Sequence, residues 1–294
     1  MIEYAKISQM LAFQSDRIWP LDQFNNNGKT SLKDKLKDIL RVLLDKGPLK
    51  HAHRKSVNGI PTEVFRMGTR GWEYPWVIKA LGNNLQKGAS VLDCGCGVNG
   101  FPLILNGLGY KANGLDYFVG AKFKREGYGL PDKYIQKNKD KITFLNGGME
   151  AIPSPDNQFD AATCISVMEH VVIAYRHDPA FHLKCLSEMA RVLKPGGVLI
   201  CTYDTILEPE VNFANQDDWG KEGWSYLKDV EYLISLGMKM VDDKPVPTFE
   251  TILSDPDAFF IPPDFYFTLG YGSGFEKYGS YQRLTSVGFL LKKS

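Results

Sequence analysis

The densest chemical signal in the chain lies in Val91-Leu92-Asp93-Cys94-Gly95-Cys96-Gly97-Val98-Asn99-Gly100-Phe101-Pro102. An apolar run leads into glycines, and the glycines lead into a helical segment. Glycines let the backbone turn sharply and approach a ligand closely. Nucleotide-type ligands sit in this way at the carboxyl edge of a parallel sheet. The same turn also serves plain packing, so its neighbours must decide. Asp93 precedes the first glycine by two positions. A carboxylate there disfavours a pyrophosphate and favours a cationic ligand bearing an amino group. Asp116 closes the next apolar run, Ala112-Asn113-Gly114-Leu115-Asp116, about 20 residues after the glycines, the spacing of a residue that grips ribose hydroxyls. His170 and Asp204 follow later apolar runs, where a proton acceptor for a bound substrate could stand.

The elements that must position these residues alternate. Strands are predicted over 90–94, 111–116, 142–146, 159–166 and 198–203, with helices over 101–108 and 181–193 between them. Such alternation means an α/β fold, a mostly parallel sheet covered by helices on both faces. Lys194-Pro195-Gly196-Gly197 reads as a helix stop and a turn into the next strand. Residues 2–14 and 32–46 read as helices. In the second, Leu32, Leu36, Ile39, Leu40, Leu43 and Leu44 form one apolar stripe. A short helix is expected over 75–81 and another near 224–236. Residues 264–271 and 284–292 read as a final antiparallel strand pair. The division that results is an N-terminal helical extension, 1–87, and a core, 88–294, with a substrate-side insertion at about 205–260.

The ordered motifs resemble those of the class I S-adenosylmethionine (SAM)-dependent methyltransferases, in the broad group that reads LDxGCGxG…GxD…EAxPxxDxxFD…SVxEH…RVLKPGG. This chain carries Leu92 to Gly97, Gly114-Leu115-Asp116, Glu150 to Asp160, Ser166-Val167-Met168-Glu169-His170 and Arg191 to Gly197. The likeness covers roughly residues 88–204 and names no substrate. It implies a Rossmann-like sheet of seven strands, SAM as cofactor and S-adenosylhomocysteine (SAH) as product. It also implies roles. Asp93 anchors the loop and the methionine amino group. Gly95 and Gly97 let the backbone pass the methionine part. Asp116 holds the ribose, Tyr117 lies against the adenine, Met149 and Glu150 border its edge, and Ser166 sits below the sulfonium. Asn99 stands where the family usually has a third glycine, and asparagine tolerates positive φ better than most residues. Gly148 stands where many members carry an Asp for the adenine amino group.

The other candidates each have two readings. His170 is a general base or a histidine that orders its loop, and Asp204 orients an acceptor or caps the segment after it. Glu169 is read as structural. Some quinone O-methyltransferases bind a metal through Glu-x-x-Glu-His. Ser166 holds the first of those positions here, so no metal is expected. Trp72, Tyr74 and Trp76, with Trp219, Trp224 and Tyr226, are expected to fold over the cofactor as a lid or else to latch flanking segments onto the core. Arg70 could meet the cofactor carboxylate. The aromatic run Phe259–Tyr271 lines a pocket or fills a strand core, and the lysines between 122 and 141 read as a solvated face.

Composition narrows the partners. The chain has 294 residues, 44% of them hydrophobic and 23% charged, with 35 basic and 34 acidic residues and a net charge of +1. That balance provides no broad positive field for a phosphate backbone, and the acceptor expected is a small molecule rather than nucleic acid. No membrane span and no secretory leader are expected, and the five cysteines show no CxxC pair. A reducing, cytoplasmic setting follows. Two alternatives remain: a SAM-binding regulatory module without catalysis, and an enzyme that uses SAM for other chemistry.

Overall fold

A computed structural model describes residues 1–6, 8–10, 12, 56–57, 60–61, 70–98, 100–119, 129–175, 178, 180–206, 226–244, 246–247, 249–259 and 284–294. The strands are β1 (Ile2–Tyr4), β2 (Ser56–Val57), β3 (Ile60–Pro61), β4 (Ser90–Cys94), β5 (Lys111–Asp116), β6 (Phe118–Val119), β7 (Leu130–Pro131), β8 (Ile142–Asn146), β9 (Phe159–Ile165), β10 (Leu193–Ile206), β11 (Met238–Met240) and β12 (Leu284–Lys293). The helices are α1 (Arg70–Asn84), α2 (Phe101–Gly107), α3 (Asp132–Asn138), α4 (Met168–Ala174), α5 (Phe181–Val192), α6 (Tyr226–Ser235) and α7 (Phe249–Ser254), with a 3-10 turn at Met149–Ala151.

The main sheet runs β1-β12-β10-β9-β4-β5-β8, and β11 pairs with β12 outside that path. The five strands from β10 to β8 are parallel, and β12 turns antiparallel to β10. Eight strands thus stand in the described sheet. The expected α/β architecture is observed, with two strands added at the β12 edge. Along a pleated strand, successive side chains face opposite layers. Val91, Ala161, Val198 and Ile200 enter the layer filled by α1 and α2. Leu92, Ala162, Leu199 and Cys201 enter the layer filled by α5 and α6. Both faces are apolar, so these strands are continuous hydrophobic runs.

Three expectations need correction. The helix expected from residue 2 begins later: residues 8–10 are helical, but Ile2–Tyr4 is a strand paired with Val287–Phe289. Ile2 and Tyr4 bury the same face, Tyr4 and Lys6 bond Asp255, and Phe259 N–H donates to the Ala5 carbonyl (2.8 Å). The helix expected from Pro75 begins at Arg70. Pro75 therefore sits inside α1 and forfeits the bond to the Gly71 carbonyl. Burial of Trp72 through Val77 around it offsets that loss. Lys194–Gly197, expected as a turn, lies within β10, whose pairing with β9 shifts register between Leu193 and Val198. Gly196 takes φ 78° in that bulge, and a side chain at Gly197 would come within 2.9 Å of the Lys194 carbonyl.

The lid reading does not hold for the described aromatics. Trp72 and Trp76 stack at 5.2 Å, and their ring N–H groups donate to Gln9 (2.7 Å) and Glu3 (2.9 Å). Trp76 also lies so close to Gly288 that a Cβ there would approach its ring to 2.6 Å. Tyr74 packs on Phe101, and Tyr226 and Phe259 are buried. These residues latch their segments onto the sheet. Trp219, Trp224, the stripe at 32–46, the strand expected at 264–271 and the rest of the aromatic run lie outside the described residues. Lys133, Lys137, Lys139 and Lys141 are exposed, a solvated face as expected.

Candidate active site

Beyond β4 the backbone turns through Gly95 at φ 69°, Gly97 at φ 48° and Gly100 at φ 81°. Asn99 lies outside the described residues, and Gly100 takes the left-handed position just before α2. A Cβ on Gly95 would strike Val167 at 2.7 Å, so this position must stay bare. A Cβ on Gly97 would meet nothing within 4 Å, and the backbone there faces open space. The turn is tied to β5: Gly95 and Cys96 N–H groups donate to the Leu115 carbonyl, at 2.9 and 3.1 Å.

The same turn fixes Asp116. Gly97 N–H donates to its Oδ2 (2.9 Å) and Tyr117 N–H to its Oδ1 (2.8 Å). Burial raises the Asp116 carboxyl, and these two N–H groups oppose the rise. Each oxygen keeps a further lone pair, so the carboxylate can still accept two hydroxyls. Tyr117 is 50% exposed, and its hydroxyl donates to Glu150 Oε1 (3.3 Å). Any side chain at Gly148 would overlap both the Glu150 carboxylate and the Tyr117 hydroxyl. The missing Asp at 148 is therefore matched by a Tyr117–Glu150 pair that fills its space. Met149, expected beside them, turns its side chain into the apolar layer against α5.

Asp93, next to last in β4, lies beneath this turn, nearly fully buried, and accepts from Thr163 Oγ1 (2.7 Å). Burial pushes its carboxyl up to about 7. The Thr163 bond and the Arg70 charge oppose the rise, and the Asp116 charge adds to it. The folded value exceeds the unfolded value of about 3.9. Asp93 therefore costs no stability below pH ~4, and stability falls as pH rises toward about 7. Asp93→Asn should make the ligand-free protein more heat-stable at pH 8 and leave it almost unchanged at pH 4. Equal shifts in Tm at both values would show that burial is not what holds the proton.

A second polar cluster lies where β9 and β10 end. Ser166 takes φ 45°, and its N–H donates to the Thr202 carbonyl (3.0 Å). Its hydroxyl donates to Glu73 Oε1 (2.6 Å), as does the Thr202 hydroxyl (2.7 Å). Glu73 is fully buried, and its Oε2 pairs with Arg70. Burial opposes the Arg70 charge, but Glu73 and Asp204 more than offset this and hold the guanidinium protonated. Asp204 Oδ1 accepts from Ser286 Oγ (3.2 Å), and Asp204 N–H donates to Glu169 Oε1 (3.4 Å). His170 follows Glu169 on α4 with its side chain reaching the surface. Desolvation, then the Arg70 charge, lowers its imidazole, which keeps it neutral at neutral pH.

The structure thus brings Asp93, Gly95, Gly97, Asp116, Tyr117 and Glu150 to one side of the sheet's carboxyl edge and Ser166, Asp204 and His170 to the other. Glu73 and Thr202 escaped the sequence reading. The i, i+3 spacing of Arg70 and Glu73 was the available signal for an internal pair on a helix. Arg70, which the sequence left open between a cofactor carboxylate and the latch, pairs with Glu73. Among the described residues, no helix is long and apolar enough to cross a membrane.

Residues 92–201 match a family model described as a methyltransferase domain. The chain is 29% identical over 162 residues to a sterol 24-C-methyltransferase of Yarrowia lipolytica, covering 53% of this chain and 37% of that protein. It is 34% identical over 127 residues to a demethylmenaquinone methyltransferase of Bacillus pumilus, covering 40% and 46%. The chain spans less than half the length of these curated relatives. Among solved structures, a Haemonchus contortus phosphoethanolamine N-methyltransferase 2 in complex with SAM superposes with a TM-score of 0.51 at 17% identity. It covers 86% of this chain and 59% of that one, a likeness of fold.

Proposed function

We propose, on the premise that residues 92–201 are a class I SAM-dependent methyltransferase domain, that the whole chain is an enzyme transferring the SAM methyl group to a small molecule. One observation carries the reading: Asp116 is clamped by the N–H groups of Gly97 and Tyr117 beside a left-handed turn whose Gly97 backbone faces open space. Bound SAM supplies an electrophilic methyl on a sulfonium, so much of the rate can come from holding the acceptor in line at near-contact distance. Asp116 accepts the ribose hydroxyls, and Tyr117 offers an exposed ring for the adenine beside Glu150. Asp93, Gly95 and Gly97 border the methionine part. His170, neutral at neutral pH, accepts the acceptor's proton, and Asp204 orients the acceptor. The relatives named above act on a sterol and a quinone precursor, which supports a small metabolite. We favour an oxygen or nitrogen acceptor, in a biosynthetic sugar, a cell-envelope precursor or another metabolite.

Calorimetry and thermal shift with SAM and SAH test this. Either ligand at 100 times its dissociation constant should stabilise the fold by about 2.7 kcal/mol. Asp116→Ala should weaken both by roughly 1–3 kcal/mol through loss of the ribose hydrogen bonds. No heat and no shift at millimolar ligand would end the reading, and unchanged affinity in the variant would remove Asp116 from it.

A further inference from the structure

Asp116 ends β5, Tyr117 comes next, and Glu150 lies on the 3-10 turn that follows the neighbouring strand β8. Asp116 pairs with Asn146 across the two strands. The Gly147 N–H donates to the Asp116 carbonyl (3.3 Å), and the Phe118 N–H donates to Asn146 Oδ1 (2.8 Å). The end of β5 and the start of the turn are thus tied together. Met149 anchors the turn in the apolar layer against α5, and the Ala151 N–H closes it onto the Gly148 carbonyl (3.3 Å). Glu150 stays half-buried beside them, and its Oε1 accepts from the Tyr117 hydroxyl (3.3 Å). A Cβ at Gly148 would overlap the Glu150 carboxylate, so the bare backbone there is what lets that carboxylate fold back beside the Tyr117 hydroxyl.

A carboxylate in this place has a definite chemical preference. It accepts hydrogen bonds and donates none, and the Tyr117 bond uses one of its several lone pairs. Burial first, and then the Glu150 charge, push the Tyr117 hydroxyl up to about 12, so it stays protonated and keeps donating to Glu150. The Tyr117 ring is half-exposed and forms a shelf for a flat base. A base on that shelf, with its ribose on Asp116, meets Glu150 at its outer rim. Adenine joined to ribose carries N–H donors only on its exocyclic amino group. We propose that Glu150, positioned by Tyr117, accepts from that amino group and makes the site selective for adenine over bases that lack the donor. This rests on the methyltransferase reading above. Glu150 is then the residue that recognises the base of the cofactor, while Tyr117 both carries the base and holds Glu150 in place.

The test is calorimetric titration of the full chain with SAH and with the SAH analogue that carries unsubstituted purine in place of adenine. The native protein should bind SAH about 10–100-fold more tightly than the analogue, the span of a hydrogen bond to a charged group. Glu150→Ala should bring that ratio close to one, chiefly by weakening SAH. Glu150→Gln keeps an acceptor oxygen and should retain part of the ratio. Tyr117→Phe keeps the ring and frees the carboxylate, so both ligands should still bind and the ratio should shrink. A merely structural role would weaken both ligands alike and leave the ratio where it was. SAH binding with a native ratio near one overturns the proposal, as does a ratio that survives in Glu150→Ala. An unchanged ratio in Tyr117→Phe overturns the positioning role of Tyr117. Binding of neither ligand to the native protein overturns the methyltransferase reading, and this proposal with it.

Discussion

Glu73→Ala should destabilise the protein by about 3–5 kcal/mol, the range for removing one partner of a buried ion pair. The Arg70 guanidinium would lose its paired carboxylate, and the hydroxyls of Ser166 and Thr202 would lose their shared acceptor. The pair has little water to fall back on, since the Glu73 side chain is wholly buried and that of Arg70 is 24% exposed. Urea unfolding of the native and variant chains measures the effect. Glu73→Gln keeps an acceptor for the hydroxyls and should lose less. A loss below about 1 kcal/mol for the alanine variant would mean that Arg70 swings out to solvent and that the cluster is not a structural unit.

On the proposed methyltransferase reading, with His170 as general base, His170→Ala should lower methyl transfer by roughly 10²–10⁴-fold and leave SAM affinity nearly unchanged. Desolvation and the Arg70 charge put the imidazole below its usual value, so the neutral form persists further into acid. Activity should therefore fall as pH drops through a value under ~6.5, the unperturbed histidine value, and stay flat above it. SAM consumption with extracts of cell metabolites provides the assay before an acceptor is identified. A joint fall of turnover and SAM affinity would make His170 part of the pocket wall and leave proton transfer to another group.

The parallel core was legible because both faces of its strands are buried. Val91-Leu92, Ala161-Ala162 and Val198 through Cys201 are apolar without alternation, and glycines punctuate them. Asp93, Gly95, Gly97 and Asp116 were legible as a set because they are local to one strand–turn–helix–strand unit. The second cluster was legible only in part: Ser166, Glu169, His170 and Asp204 stood out singly, but the bonds that join Ser166 and Thr202 to Glu73 did not. Glu73, Ser166 and Thr202 come from three elements 36 to 129 residues apart, and a hydrogen bond between such positions leaves no period in the sequence. Glu73 also sits among Trp72, Tyr74, Pro75 and Trp76, whose aromatic character dominates the reading of that stretch. The strand at Ile2–Tyr4 failed for a related reason. Three residues are too short to declare alternation, and their partner lies at Val287–Phe289.

That last pairing has a kinetic consequence. The ring of Trp76 lies against Gly288 and Leu290 joins its layer, so β12 completes the α1 layer, while Ile2 faces Phe289 in the opposite layer. During synthesis from the N-terminus, β1 lacks the sheet partner seen among the described residues until Val287–Phe289 has been made. A contact of this sequence separation pays loop-closure entropy late and slows that step of assembly. Until then the apolar face of α1 and the rim of the growing sheet stay uncovered, and such intermediates are open to aggregation. Yield on expression, rather than behaviour of the finished protein, is where damage to Ile2, Tyr4 or Gly288 would first be felt.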